Sequence, residues 1–350
     1  MTVHLETSAP EATADKVGGD GGRSGTGTRS TTSSRRRRRR KRSRGVPLLI
    51  APTAILLGVV IGYPVVSAIV MSFRGDPTMD TSLGRFVDQG WAGLSNYTHW
   101  LLQRCTSSTG ESISCPAGTL GSLFWSSVFV TLLFAVATVA LEVLLGLWFA
   151  NVMHKTVRGR ALIRTSVLVA WAIPTAVSAK LWAYIFSYDG IANRLLGTDI
   201  LWTGETWPAR IAVITADVWK TTPFVALLIL AGLQMIPRDT YEAACVDGAS
   251  RWQQFRYITL PLIKPAIAVA VLFRALDALR MYDLPAIMTG GGDGATTTLS
   301  MLVVDQMRQG FNSASALSTI TFGLVFLIAY LLVKALSINV VETQRAQRKA

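Results

Sequence analysis

Long apolar runs alternate with short polar segments along the chain from about residue 46 onward. Six runs reach roughly 20 residues or more, enough to cross a hydrocarbon core about 30 Å thick as a helix. They cover residues 46–73, 123–152, 161–187, 209–236, 265–289 and 313–338. Backbone groups in lipid must be satisfied within their own segment, so these runs are expected to be helices. The outward-alternating pattern of a membrane β-barrel is absent. Pro52, Gly62 and Pro64 predict a kink in the first run. The expected fold class is an all-α polytopic membrane protein with six transmembrane helices and no second soluble domain.

Charge adds an orientation. Only 16% of the 350 residues are charged and half are hydrophobic, whereas a soluble domain carries about 25% charged residues. The net charge of +13 is concentrated in a few segments. Arg35 to Arg40, Lys41, Arg42 and Arg44 precede the first run; Lys155, Arg158, Arg160 and Arg164 follow the second. Arg238, Arg251, Arg256 and Lys264 follow the fourth, and Arg345, Arg348 and Lys349 close the chain. The remaining loops carry Asp76, Asp80, Asp88 and Glu111; Asp189, Asp199 and Glu205; and Asp293 and Asp305. Positive residues stay on the cytoplasmic side, so both termini are expected there, in a multi-pass plasma-membrane protein.

Residues 1–45 read as a disordered, basic cytoplasmic leader, 46–340 as the membrane domain, and 341–350 as a cytoplasmic tail. A basic run abutting a span fixes topology and touches anionic lipid, so membrane lipid rather than nucleic acid is its expected partner. The first run exceeds the roughly 7–15 residues of a signal-peptide core and is expected to stay as a span. Cys105 and Cys115 share one loop on the outer side, where disulfides are permitted. A bridge and two free thiols both remain open. No Cys/His spacing points to a metal site.

The segment 237–264 is the most structured polar stretch. Asp239 stands as an N-cap with Glu242 three residues on, a capping-box arrangement. Gly248 reads as a helix stop. Ser250 and Gln253 repeat the box, Trp252 and Phe255 share one helical face, and Pro261 closes the second helix. Two short helices meeting at Gly248 are expected. Such a unit is either an ordinary interfacial helix or a protrusion that a partner grips.

The string Glu242-Ala243-Ala244, Asp247-Gly248-Ala249, Phe255, Ile258, Leu260-Pro261 and Pro265 resembles the EAA loop of ATP-binding-cassette (ABC) importer permeases. Gly90-Trp91-Ala92-Gly93-Leu94 with Asn96-Tyr97, and Thr289 to Gly292 with Thr298 and Leu299, are similar to passages of sugar permeases. Over about residues 46–340 the chain resembles the carbohydrate, MalF-like branch of that family. Val218 to Phe224, Val246 to Ala249 and Phe273 to Asp277 look most like mycobacterial trehalose permease subunits.

The resemblance implies a type I ABC importer permease fold. It implies a second homologous permease subunit, two copies of an ATP-binding-cassette ATPase, and an extracytoplasmic sugar-binding lipoprotein. ATPase coupling would fall on Glu242, Ala243, Ala244, Asp247, Gly248 and Ala249. The cargo would be a sugar, a disaccharide such as trehalose. ATP and Mg would reside in the ATPase subunits, with no cofactor bound by this chain. Consistent with that, the phosphate-cradling pattern G-x-x-x-x-G-K-[ST] is missing. The histidines, His4, His99 and His154, are scattered, and no enzyme active site is expected.

The fifth run carries Arg274, Asp277, Arg280 and Asp283, every third residue with alternating sign. That spacing favours pairing along one helical face. Charges at membrane depth are costly and face a pathway or a partner. They line a sugar path with Phe273 and Tyr282 stacking on the sugar, form a proton relay, or make a self-satisfied ladder. The relay belongs to a different class, a proton-coupled secondary transporter. Glu142, Lys180, Asp217 and Lys220 are further candidates, and Asp217 with Lys220 form a pair at helical spacing.

Overall fold

The structure is a computed structural model describing residues 45–80, 84–106, 111–154, 160–291 and 294–347. The leader before residue 45 lies outside the described residues. The chain divides into two units, Met1–Ile61 and Gly62–Ala350. In the first, helix α1 (Gly45–Leu57) contains Pro52 and runs into a π-type turn, Gly58–Gly62. A proline inside a helix loses one backbone donor, and widened turns accommodate such defects.

The second unit begins with α2 (Tyr63–Met71). Two small hairpins follow, β1 (Thr78–Asp80) with β2 (Arg85–Val87) and β3 (Arg104–Thr106) with β4 (Ser112–Ser114); α3 (Ser95–Leu101) lies between them. The membrane core is built from α4 (Phe124–His154), α5 (Arg160–Ala172), α6 (Thr175–Ile185) and α8 (Thr206–Gln234), with α7 (Ile191–Leu196) in the connection. Then come α9 (Arg238–Val246), α10 (Arg251–Gln253), α11 (Leu260–Ala278), α12 (Asp283–Met288), α13 (Leu299–Met307) and α14 (Phe311–Gln347).

Five helical stretches are long and apolar enough to cross a membrane: Ile50–Met71, Leu120–His154, Thr206–Gln234, Arg251–Ala278 and Phe311–Ala335. A sixth exists if the pair Arg164–Ala172 and Thr175–Ile185 counts as one span. The single helix expected over 161–187 is therefore corrected to two helices bent by 96°. Pro174 causes the break. It disfavours the α conformation at Ile173 and removes a backbone donor; it caps α6 with extended backbone, φ −54° and ψ 140°.

The fifth span also differs from expectation. It ends at Ala278 rather than residue 289. Pro285 explains this, because its ring collides with the carbonyl four residues back in a continuous helix. That carbonyl belongs to Met281. Freed from the helix, it accepts the Thr298 hydroxyl at 2.8 Å. A carbonyl without water around it needs such a partner. Tyr282 and Asp283 thus stand on the connection and first turn of α12, off the fifth-span helix.

Helices α4, α8 and α11 approach closely because small residues face each other, as expected where lipid provides no hydrophobic drive between helices. A Cβ on Gly146 would meet Val225 Cγ1 at 2.8 Å, and one on Gly232 would meet the Ala266 Cβ at 2.5 Å. Ala150, Val225, Ala226, Ile229, Ile263 and Ala270 fill this seam. The Gly-rich loop after α12 packs tightly over its described part. Thr296, Thr297 and Thr298 are buried. Leu299 N–H donates to Thr131 Oγ1 at 2.9 Å. Gly292 and Asp293 lie outside the described residues.

Candidate functional site

The segment after α8 forms an elbow. Helix α9 starts directly after Pro237, whose side chain makes no cap. Asp239 sits inside the first turn, so its expected role as N-cap is corrected; its carboxylate still suits the positive helix end. Gly248 turns the chain with φ +76°, a region open to glycine at little cost. Its N–H donates to Cys245 O at 3.1 Å, and Ala249 N–H to Ala244 O at 2.9 Å. These bonds satisfy the last carbonyls of α9.

Beyond the turn, Ser250 and Gln253 form the reciprocal box: Ser250 N–H donates to Gln253 Oε1 at 2.7 Å, and Gln253 N–H to Ser250 Oγ at 3.3 Å. The second helix is not closed by Pro261. It passes through a π-type stretch, Gln254–Thr259, into α11 without interruption. Pro261 follows directly on the widened π-type turn, which accommodates the backbone donor it lacks.

The elbow is braced from within. Tyr241 and Thr259 hydroxyls lie 3.0 Å apart, and Gln254 Nε2 donates to Ala249 O at 3.0 Å. Ala244 is buried against this brace, whereas Glu242, Ala243, Asp247 and Gly248 are exposed and Ala249 is half-buried. The outward surface also carries apolar side chains: Val246 is 88% exposed and Trp252 70%. Trp252 stacks on Phe255 at 5.8 Å. The elbow thus combines an internally braced backbone with exposed apolar side chains set among charged ones.

The charged residues of the fifth span separate into two groups. Arg274 turns inward and is buried. Its Nε donates to Glu142 Oε2 at 2.5 Å, its Nη2 to Asp217 Oδ2, and its Nη1 to Asp277 Oδ2 at 2.9 Å. Thr221 Oγ1 donates to Glu142 Oε1 at 2.5 Å. One guanidinium thus ties α4, α8 and α11 together, through fork geometry that suits several carboxylates. Three expectations change. Arg274 turns into the helix core, away from the open face that carries Phe273 and Asp277. Asp217 takes Arg274, not Lys220, as its partner. The sign alternation does not make consecutive pairs: beyond Arg274–Asp277, no ion pair joins these residues among those described.

Three expected path residues remain on an uncovered face of α11 and its C-terminal turn. Phe273 is 56% exposed, the Asp277 side chain 69%, and Arg280 is exposed. The 4- and 3-residue steps place them on one stripe. Arg280 also borders an opening of about 470 Å³ with Leu276, Ser300, Ser318, Thr321 and Phe322, between α11, α13 and α14. Tyr282 and Asp283 are exposed on the connector. Lys180 is exposed on α6 and Lys220 is buried on α8; among the described residues neither makes an ion pair with the Arg274 cluster.

Cys105 and Cys115 are bonded, with S–S 2.03 Å. His99 lies beside them, but bonded sulfurs are not thiolate ligands.

A family model described as a binding-protein-dependent transport system inner membrane component matches residues 142–340, which include the elbow, the Arg274 cluster and the open stripe. The chain is 40% identical over 293 residues to the trehalose/maltose transport system permease protein MalF of Thermococcus litoralis, covering 81% of this chain and 91% of that one. It is 38% identical over 290 residues to the trehalose transport system permease protein SugA of Mycobacterium tuberculosis, covering 82% and 87%. Its fold matches a crystallised bacterial ABC transporter involved in the import of the polysaccharide alginate, with TM-score 0.66 at 21% identity, covering 87% and 99% of the two chains. It also matches, with TM-score 0.64 at 21% identity, a bacterial alginate ABC transporter solved in complex with an alginate pentasaccharide-bound periplasmic protein, covering 85% and 96% of the two chains.

Proposed function

The chain belongs to the binding-protein-dependent transport system inner membrane component family, the permease subunits of ABC importers, and we propose that it carries a disaccharide of the trehalose type across the plasma membrane. The reading rests on one observation above the others: Phe273 and Asp277 stand open on the apolar helix α11, with Arg280 on the turn that follows it. Lipid does not tolerate exposed charges there, so this face borders a hydrated path or a second permease. An aromatic face with a carboxylate and a guanidinium suits sugar recognition, because the ring takes the apolar sugar face while the planar polar groups hydrogen-bond hydroxyls. The two curated relatives named for trehalose support the same cargo.

The complete importer pairs this chain with a homologous permease, over two ATPase subunits that hold ATP and Mg. An extracytoplasmic binding protein delivers the sugar. The alginate importer, captured with its periplasmic protein, supports that kind of partner. Both termini and the elbow face the cytoplasm, as the positive loops favour. The elbow seats on the ATPase, with Glu242, Gly248 and the apolar surface of Val246 and Trp252 at the contact. Nucleotide shifts the cavity only through contacts that differ between its two states, and the elbow is the element both states share. A proton-driven carrier has less support, because the carboxylates converge on Arg274 instead of forming a chain.

Uptake of labelled trehalose, maltose, a monosaccharide and an amino acid in a deletion strain tests the cargo. Restoring this gene should rescue trehalose or maltose uptake. Rescue of the amino acid alone would refute the sugar reading.

A further inference from the structure

A second opening, of about 460 Å³, lies at the end of the molecule opposite the elbow, between the turn after α2 and the first residues of α14. Arg74, Asp88, Trp91, Phe311 and Asn312 line it. Its size is within the roughly 300–1,000 Å³ of small-molecule sites.

The frame is fixed by the chain itself. Gly75 N–H donates to Gly90 O at 3.0 Å and Ala92 N–H to Phe73 O at 2.9 Å, so two strands of the loop run as a ribbon. The Asp76 carboxylate accepts the Asn312 N–H at 2.6 Å and the Ser313 N–H at 3.1 Å, capping α14. Asn312 Nδ2 donates to Gly75 O at 2.7 Å, which joins ribbon and helix. Such bonds hold the walls of the opening at a constant separation.

Apart from the Asn312 Nδ2 bond to Gly75 O, the lining side chains are unspent. Trp91 stacks one ring face on Phe73, at 5.5 Å and 11°, and remains 71% exposed on the other. Phe311 is 52% exposed. Among the described residues, neither the Arg74 nor the Asp88 side chain makes an ion pair. The two charges cancel, so the opening does not select an anion or a cation. Two aromatic faces flanked by a guanidinium, a carboxylate and an amide suit a neutral ligand with flat apolar faces and many hydroxyls.

We propose that this opening is a second sugar subsite, at the outer mouth of the permease and separate from the α11 stripe. It rests on the reading of the chain as a sugar permease. A sugar released at the membrane surface is held here, with Trp91 under its ring and Arg74, Asp88 and Asn312 on its hydroxyls, before it reaches the path.

Photoaffinity labelling tests this with site resolution. The full-length chain in lipid nanodiscs is irradiated with a diazirine derivative of maltose, with and without excess unlabelled trehalose and maltose, and the labelled peptides are mapped. The proposal expects label around Trp91 or Phe311 that free sugar competes away. Trp91→Ala should lower that label about tenfold, Trp91→Phe should retain it, and label on α11 should be unchanged in both. No label at the mouth, label that free sugar does not compete, or full label in Trp91→Ala would each overturn it. Label confined to α11 would remove this subsite and leave the sugar-permease reading standing. No label anywhere, together with no sugar uptake, would remove both.

Discussion

Replacing Arg274 by Met is the most informative single change in the membrane core. The guanidinium is buried and holds Glu142 and Asp217, which are buried as well. Removing it strands two carboxylates in a low-dielectric interior. Breaking one buried pair from one side costs about 3–5 kcal/mol. Asp277 contributes little to that cost, because its side chain is 69% exposed. At about 2–4 °C of melting temperature per kcal/mol for domains of roughly 150–250 residues, the variant should melt of the order of 10 °C lower. Thermostability by size-exclusion chromatography of the heated, detergent-purified protein reads this directly. The triple variant Glu142→Leu, Asp217→Leu, Arg274→Met removes all the buried charges of the cluster at once, leaving the exposed Asp277 to solvent, and should regain most of the loss, because an apolar replacement of a buried ionic cluster is often neutral. A melting temperature for Arg274→Met within about 2 °C of wild type would refute the claim that this cluster fastens three helices.

Asp277→Asn should behave in the opposite way: melting temperature close to wild type, because its exposed bond to Arg274 lies within α11 and joins no second helix, and, on the proposed function, sugar uptake reduced at least tenfold in the deletion strain. Gly248→Ala should cost about 1–2 kcal/mol, because φ +76° puts a Cβ against the following carbonyl, read as a lower melting temperature with uptake retained. Gly248→Pro cannot adopt that φ and loses the bond to Cys245; in the reconstituted importer it should abolish uptake while the ATPase subunits still co-purify. Protein purified without reductant should yield a cross-linked Cys105–Cys115 peptide by mass spectrometry. Cys105→Ser should lower stability by about 2–3 kcal/mol, as expected for a short closed loop.

Local chemistry was legible in the sequence and long-range pairing was not. Ser250 and Gln253, three residues apart, announced their cap, and Gly248 announced the turn, because each feature is decided by neighbours along the chain. Helix ends were harder. Asp239 has the right composition for a cap, but Pro237 already supplies extended backbone and starts the helix earlier. The fifth run looked continuous because charges every third residue mimic a helical face; Pro285, whose effect falls four residues upstream, was the overlooked signal. The bend at Pro174 was visible as a residue, but hydropathy counts apolar residues without regard to backbone direction. The Arg274 cluster joins positions 57 and 132 residues apart, and a single sequence contains nothing that links them. Counting charges at membrane depth did point to Glu142 and Asp217, and their burial cost is the reason they needed a partner.

The central claim is that the elbow around Gly248 meets an ATPase. A photo-reactive amino acid incorporated at Val246, 88% exposed on the elbow, tests it in intact membranes. Irradiation should join this chain to a protein carrying the phosphate-cradling motif, and the cross-link should be lost in membranes of a strain lacking that ATPase. Cross-linking instead to an extracytoplasmic protein, or labelling of position 246 by an impermeant reagent added outside intact cells, would contradict the account.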